Sequence, residues 1–261
     1  MIRCGRGTVL RARTVDSRMG FWLALEFLTI IPSPRRNVSE HVEIGRSLVY
    51  FPLVGLLLGL LLFGLDFLLR LVLPLPVVGA ILIAAMAALT GAIHLDGFMD
   101  TCDGLGGHSP ARRLEIMKDS RVGAFGVVGV VILLLLKYGA LVSLPPALRM
   151  GALVLMPVLG RWAMVFGVTA YPYARVEGLG KAFVQQANWS RFWVATALAL
   201  VIVAVFGRWI GVVAFMGVGL VVWGAAIFMR RKFTGLTGDS YGALCELTEA
   251  MTLVFILLWQ R

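Results

Sequence analysis

The stretch LVYFPLVGLLLGLLLFGLDFLL, residues 48–69, carries a single charged side chain, Asp66. The hydrocarbon core of a bilayer is about 30 Å thick and about 20 apolar residues of helix cross it. This segment therefore reads as a transmembrane helix. Six further stretches read the same way: 77–93, 124–144, 150–171, 192–206, 209–229 and 241–259. The stretches 192–206 and 209–229 are joined only by Gly207-Arg208, a link that suits a helical hairpin. Residues 21–31 are too short to cross and end at Pro32-Ser33-Pro34, so they predict an interfacial or re-entrant helix.

Composition agrees with that pattern. Of the 261 residues, 59% are hydrophobic and 15% charged, with a mean hydropathy of +0.90. Soluble domains run nearer 45–50% apolar and about 25% charged. A disordered chain, a disulfide-stapled miniprotein and an ordinary soluble globule are excluded. Cys4, Cys102 and Cys245 are scattered and lack CxxC spacing, so they suggest neither a disulfide framework nor a zinc site.

The net charge of +10 would point to nucleic acid in a soluble protein, but here the basic residues lie in short clusters between apolar runs. With seven spans, the segments 1–47, 94–123, 172–191 and 230–240 share one side and hold 18 Lys and Arg. The other side holds four, Arg70, Arg149, Arg208 and Arg261. Basic loops stay on the cytoplasmic side. The expected architecture is therefore an all-α, polytopic membrane bundle of about seven helices with its N-terminus inside. Residues 1–18 form a basic N-terminal tail without fixed structure, and 19–261 a single membrane-embedded domain. No internal repeat is evident.

Chemistry concentrates in HLDGFMDTCDGLGGHSPARRLEIMKDSRVGAFG, residues 94–126, which holds five of the chain's fourteen acids. Asp96, Asp100 and Asp103 are spaced four and three apart, so on a helix they share a face. That face would continue from the apolar run ending at Ile93, placing the carboxylates at the cytoplasmic boundary. Like charges so placed repel one another. A hard divalent cation, Mg²⁺ or Mn²⁺, suits them, with substrate phosphate completing its coordination. Downstream, Arg112, Arg113, Lys118 and Arg121 offer charge to phosphate. Glu115 and Asp119 add two carboxylates, and His94 is a candidate substrate contact. In GLTGDSYGALCELTE, residues 235–249, Asp239 is a helix cap or a further site carboxylate. Glu246 and Glu249, like Arg161, fall inside spans, where an unpaired charge is expensive and suggests function.

These segments resemble the bacterial cobalamin synthases, also called adenosylcobinamide-GDP ribazoletransferases. The resemblance runs through FLTIIPSP (27–34), FPLVGLLLG (51–59), HLDGFMDTCDG (94–104), RRLEIMKDSRVGAFG (112–126), YARVEGLGK (173–181) and LTGDSYGALCELTE (236–249). Ile30 departs from it, standing where the family often has arginine. The resemblance implies the last assembly step of the vitamin B12 nucleotide loop. In it the adenosylcobinamide phosphate of adenosylcobinamide-GDP passes to α-ribazole, or its 5′-phosphate, and GMP leaves. It also implies Mg²⁺ and a place in the bacterial inner membrane, with homo-oligomers or other cobalamin-assembly enzymes as further partners and no nucleic acid.

On that basis Asp96, Asp100 and Asp103 are assigned to Mg²⁺, with Asp119 and Asp239 as further ligands or the general base. Arg112, Arg113, Lys118, Arg121 and Arg175 neutralise the diphosphate, and Gly178 and Gly180 keep the following loop close to substrate. Two Mg²⁺ transferase classes compete. The CDP-alcohol phosphotransferases use a DG-x-x-AR element that is absent here, and the prenyltransferases a second DxxxD motif that is missing. An ion-coupled transporter would ordinarily show repeated halves.

Overall fold

A computed structural model describes residues 17–32 and 44–259. The basic tail expected over 1–18 lies outside the described residues, except that Ser17 and Arg18 open the first helix. The described residues are helical: α1 (Ser17–Leu28), a 3-10 helix (Ile44–Tyr50) leading into α2 (Phe51–Leu69), α3 (Leu75–Leu89), α4 (Ile93–Leu105), α5 (Pro110–Ile116), α6 (Ala124–Ser143), α7 (Pro146–Ala170), α8 (Leu179–Gln186), α9 (Trp189–Phe233) and α10 (Gly238–Leu257). Helices suit this setting because they satisfy their own backbone hydrogen bonds where no water is available.

The centre of the bundle is α7, 89% of whose apolar window is buried. Lipid and helix interiors are equally apolar, so close backbone packing holds such helices together. The α2 glycines show it directly. A Cβ on Gly55 would meet the Pro157 carbonyl oxygen at 2.6 Å, and one on Gly59 would meet Val154 Cα at 2.6 Å. Helix α10 also packs on α7, and against α4, α6 and α9.

Five helices are long and apolar enough to cross a membrane, or six if α3 and α4 count as one bent span. The longest, α9, has 45 residues and would extend about 67 Å if straight, twice the hydrocarbon thickness. It is not straight. Arg208 sits at φ 52°, ψ −145°, and a Cβ on Gly211 would lie 3.1 Å from the Val203 carbonyl oxygen, contact that eight residues of continuous helix forbid. The chain reverses there, as the Gly207-Arg208 link predicts, and counting the two arms separately gives six spans, or seven with α3 and α4 as one bent span.

Three expectations need correction. The face carrying Asp96, Asp100 and Asp103 does not continue from the preceding apolar helix. Gly91 and Ala92 both adopt left-handed backbone conformations (φ 59° and 56°), and α3 and α4 meet at 92°. Arg149 is not in a loop. It is buried in α7, where Nε donates to Asp66 Oδ1 at 2.8 Å and Nη1 to the Leu141 carbonyl at 2.6 Å. Finally, the ionisable groups within the spans are paired with one another. Lys137 Nζ lies 2.6 Å from both Glu246 Oε2 and Glu249 Oε2, and Arg161 pairs with Glu249. Two cations and two carboxylates balance in the bundle interior, so these acids hold helices α6, α7 and α10 together.

Candidate active site

Two loops stitched together build the site. The Leu236 amide donates to the Pro172 carbonyl at 2.9 Å, and the Ala174 amide to the Leu236 carbonyl at 2.8 Å. Gly235 permits this approach: its φ is 159°, and a Cβ there would meet the Pro172 oxygen at 2.7 Å. The stitch sets Arg175 beside the start of α10. Arg175 Nη2 bonds Asp239 Oδ2 at 2.6 Å and the Met117 carbonyl at 3.2 Å, tying together three segments distant in sequence. Thr237 caps α10 by accepting from the Ser240 amide. Asp239, two residues past that cap, takes the favourable place for an anion in the first helical turn.

Helix α4 crosses α10 at the same point. A Cβ on Gly97 would meet Asp239 Cα at 2.9 Å, and one on Gly242 would meet the His94 carbonyl oxygen at 3.0 Å. This glycine-mediated crossing carries His94 and Asp96 to the mouth of α10. The result is a cavity of about 250 Å³ lined by His94, Asp96, Arg175, Gly178, Gly180 and Asp239, with Phe27, Phe51, Met164, Tyr173, Phe183 and Tyr241 among its apolar and aromatic walls. Burial raises the Tyr173 phenol pKa.

The other candidates separate from this group. Asp100 is half-buried and experiences repulsion from Asp239, Asp96 and Asp103, with Arg175 as the opposing cation. Asp103 faces α6, not the cavity. Its Oδ2 accepts from the Gly123 amide at 2.8 Å and its Oδ1 from the Gly126 amide at 2.7 Å, so it caps that helix from outside. Asp103, Arg112, Asp119 and Arg121 line a second, open cleft. There Arg121 grips Asp119 through Nε and Nη2, which holds the Asp119 pKa down at about 2, and Arg112 pairs with Glu115 at 2.8 Å. Arg113 Nη1 donates to the Lys232 carbonyl and braces α5 against α9. Lys118 is exposed beside Met117, whose carbonyl Arg175 holds.

No group of three or more His, Cys, Asp or Glu side chains is preassembled as a metal cage among the described residues. The arrangement still fits Mg²⁺, because Asp96, Asp100 and Asp239 are mutually repelling carboxylates opposed by one guanidinium. Mg²⁺ is ordinarily held by one or two carboxylates together with substrate phosphate.

Sequence reasoning named no aromatic residue for the cavity. Tyr173 and Tyr241 stand inside the quoted motifs, but nothing local distinguishes a lining tyrosine from a core one. Phe27, Phe51 and Phe183 come together only through packing of α1, α2 and α8.

Comparison with known proteins completes the description. The family described as cobalamin-5-phosphate synthase matches residues 20–257. The chain is 40% identical to the adenosylcobinamide-GDP ribazoletransferase of Geotalea daltonii over 91% of its length and 96% of the relative's. It is 40% identical to that of Desulforamulus reducens over 92% and 96%, and 42% identical to that of Stutzerimonas stutzeri over 90% and 96%. No solved structure matches the chain.

Proposed function

The chain belongs to the cobalamin-5-phosphate synthase family, and on that premise we propose that the cavity between α4, α10 and the loop carrying Arg175 is where its transfer reaction takes place. The protein is an adenosylcobinamide-GDP ribazoletransferase acting in the final assembly of the cobalamin nucleotide loop. One observation carries the placement: Asp96, Arg175 and Asp239, from three separate sequence motifs, line one cavity.

In the reaction a ribose hydroxyl of α-ribazole, or of its 5′-phosphate, attacks the phosphorus joined to cobinamide. The new P–O bond forms as the bond to GMP breaks, and the hydroxyl proton passes to a base. Displacement at an already anionic phosphorus depends on positioning and on neutralising charge. Arg175 supplies fixed positive charge at the cavity wall, and its own anchoring to Asp239 and the Met117 carbonyl keeps it there. Asp239 lies in the cavity and is placed to take the proton. Asp119 stands in the other cleft, tied to Arg121, and is a weaker candidate for that role. Mg²⁺ would be held by Asp96 and Asp100, with Asp239 nearby, and would supply Lewis-acid neutralisation of the diphosphate. Asp103, committed to the start of α6, would position α4 instead of binding metal. Arg112 and Arg121, in the second cleft, and the exposed Lys118 lie outside this cavity, where they would draw in the anionic donor, and Arg113 braces α5 against α9.

The excess of basic residues on the side that carries the site supports a cytoplasmic N-terminus and cytoplasmic active-site loops, with the protein in the inner membrane. A cysteine at Ser109 should label from inside only. Labelling from outside the intact cell would invert the topology.

The test is GMP release by purified protein in detergent, given adenosylcobinamide-GDP and α-ribazole, with Mg²⁺ or with excess chelator. Metal-dependent release with cobalamin formed is the expected result. Full activity in chelator would remove the metal from the proposal. Asp96→Asn should reduce turnover at least a hundredfold with an unchanged unfolding temperature. Near-normal turnover would take Asp96 out of the site.

A further inference from the structure

The lining of the cavity is of two kinds. Asp96, Arg175 and Asp239 make its charged part. The apolar part is an aromatic cluster drawn from three helices: Phe27 of α1 and Phe183 of α8 have ring centroids 4.6 Å apart, Phe51 of α2 lies 6.0 Å from Phe183, and Met164 of α7 adds to the wall. Three buried polar atoms of lining residues have no partner among the described residues: Arg175 Nε in the charged part, and His94 Nδ1 and the Tyr241 hydroxyl beside the apolar part. His94 and Tyr241 are each 3% exposed. A buried hydroxyl or imidazole nitrogen left unpaired costs about 1–3 kcal/mol, so each of these two calls for a polar partner.

Resting on the reaction and cavity proposed above, we infer that the aromatic half of this cavity is the seat of the acceptor's base, with Phe27, Phe51 and Phe183 enclosing the ring and His94 and Tyr241 meeting its few polar atoms. The chemistry separates the two bases the reaction brings. The dimethylbenzimidazole of α-ribazole presents two methyl groups, a fused aromatic ring and one unsubstituted ring nitrogen. Guanine presents a carbonyl, an amino group and ring N–H and N positions around its edge. Facing those against three phenylalanines would strand most of them, and each buried unpaired group costs about 1–3 kcal/mol. The ring nitrogen and ribose hydroxyls of α-ribazole match two orphaned side-chain atoms. With the base so seated, its ribose points along the cavity toward the carboxylates and Arg175. The donor's nucleotide and its bulky corrinoid then approach from the open side.

Equilibrium binding to the full-length protein in detergent tests this without requiring turnover. The probes are α-ribazole, the analogue in which adenine replaces dimethylbenzimidazole, and GMP, against wild type, Tyr241→Phe and Phe183→Leu. Tyr241→Phe should weaken α-ribazole about tenfold, the value of one buried hydrogen bond. Phe183→Leu should weaken it by a similar factor, and GMP affinity should stay unchanged in both. The adenine analogue should bind wild type at least tenfold more weakly than α-ribazole. Loss of GMP affinity with α-ribazole binding intact would overturn the assignment and seat guanine here. Unchanged α-ribazole affinity in both variants would overturn it as well. Unfolding temperatures confirm that each variant is folded, and Tyr241→Phe keeps the ring's packing. GMP-release assays on wild type read the proposed reaction separately, so failure there is distinct from failure of the subsite.

Discussion

Three aspartates on one helix face look equivalent, and the residues around them make them unlike. Asp96 is exposed in the cavity, Asp100 lies among like charges, and Asp103 spends both oxygens on the amides that open α6. Substitution should divide them. Asp103→Ala strands two backbone donors and should lower stability by about 1–3 kcal/mol, read as a fall in unfolding temperature, whereas Asp96→Asn should leave stability alone. Equal unfolding temperatures for the two variants would argue against the capping role. Asp119 carries a different expectation. Because Arg121 holds its pKa near 2, it stays ionised at any working pH and loses that pairing only as the pH falls through about 2. Asp119→Asn should therefore leave the acidic limb of the pH–rate profile where it is. A shift of that limb by a full pH unit would return Asp119 to the catalytic candidates. The sequence made the acidic cluster legible through its spacing. It left the division of labour hidden, because Gly123 and Gly126 are 20 and 23 residues from Asp103 and only the tertiary approach of α4 to α6 joins them.

Among the elements, two breaks give the bundle its shape, and both sit on residues that dislike their backbone conformation. Ala92 turns α3 into α4 and Arg208 reverses α9, each at positive φ without a glycine's freedom. Left-handed backbone costs Ala92 about 1–2 kcal/mol, and the φ 52°, ψ −145° of Arg208 lies in a region that favours glycine, at a cost of about 1–3 kcal/mol. Ala92→Gly and Arg208→Gly should therefore be tolerated or modestly stabilising. Ala92→Val, β-branched in that region, should lower the unfolding temperature and weaken turnover together, since the same bend aims His94 and Asp96 at α10. A valine variant with wild-type stability and activity would show that the bend is not needed. The hairpin in α9 was legible because Gly207-Arg208 interrupts two long apolar runs. The bend after α3 was not: Thr90-Gly91-Ala92 contains no proline and only one glycine, and the helical pattern of acids continues past it. The Ile30 amide bonding the Leu89 carbonyl is one of the tertiary contacts that close this helix end.

In the molecule as a whole, charge inside the membrane is balanced across helices. Lys137 answers Glu246 and Glu249, Arg161 answers Glu249, and Arg149 answers Asp66. Removing one partner of a buried set strands the others, at about 3–5 kcal/mol. Lys137→Met should destabilise by that order in thermal unfolding, and the double variant Lys137→Met/Glu246→Gln should recover part of the loss. A double variant no more stable than the single would show that Glu246 does not depend on Lys137. The sequence alone determined the class of protein, the approximate spans, the turn within α9 and the segments that carry chemistry. Those follow from quantities that are local along the chain: apolar length against bilayer thickness, and residue spacing against the helical period. Tertiary structure decided which acids face the cavity, which one caps a helix, which buried charges are structural, and which aromatic residues make the apolar wall. Each of those depends on which side chain meets another across a helix interface, set by close approach at Gly55, Gly59, Gly97 and Gly242, and no spacing along one helix specifies its partner on the next.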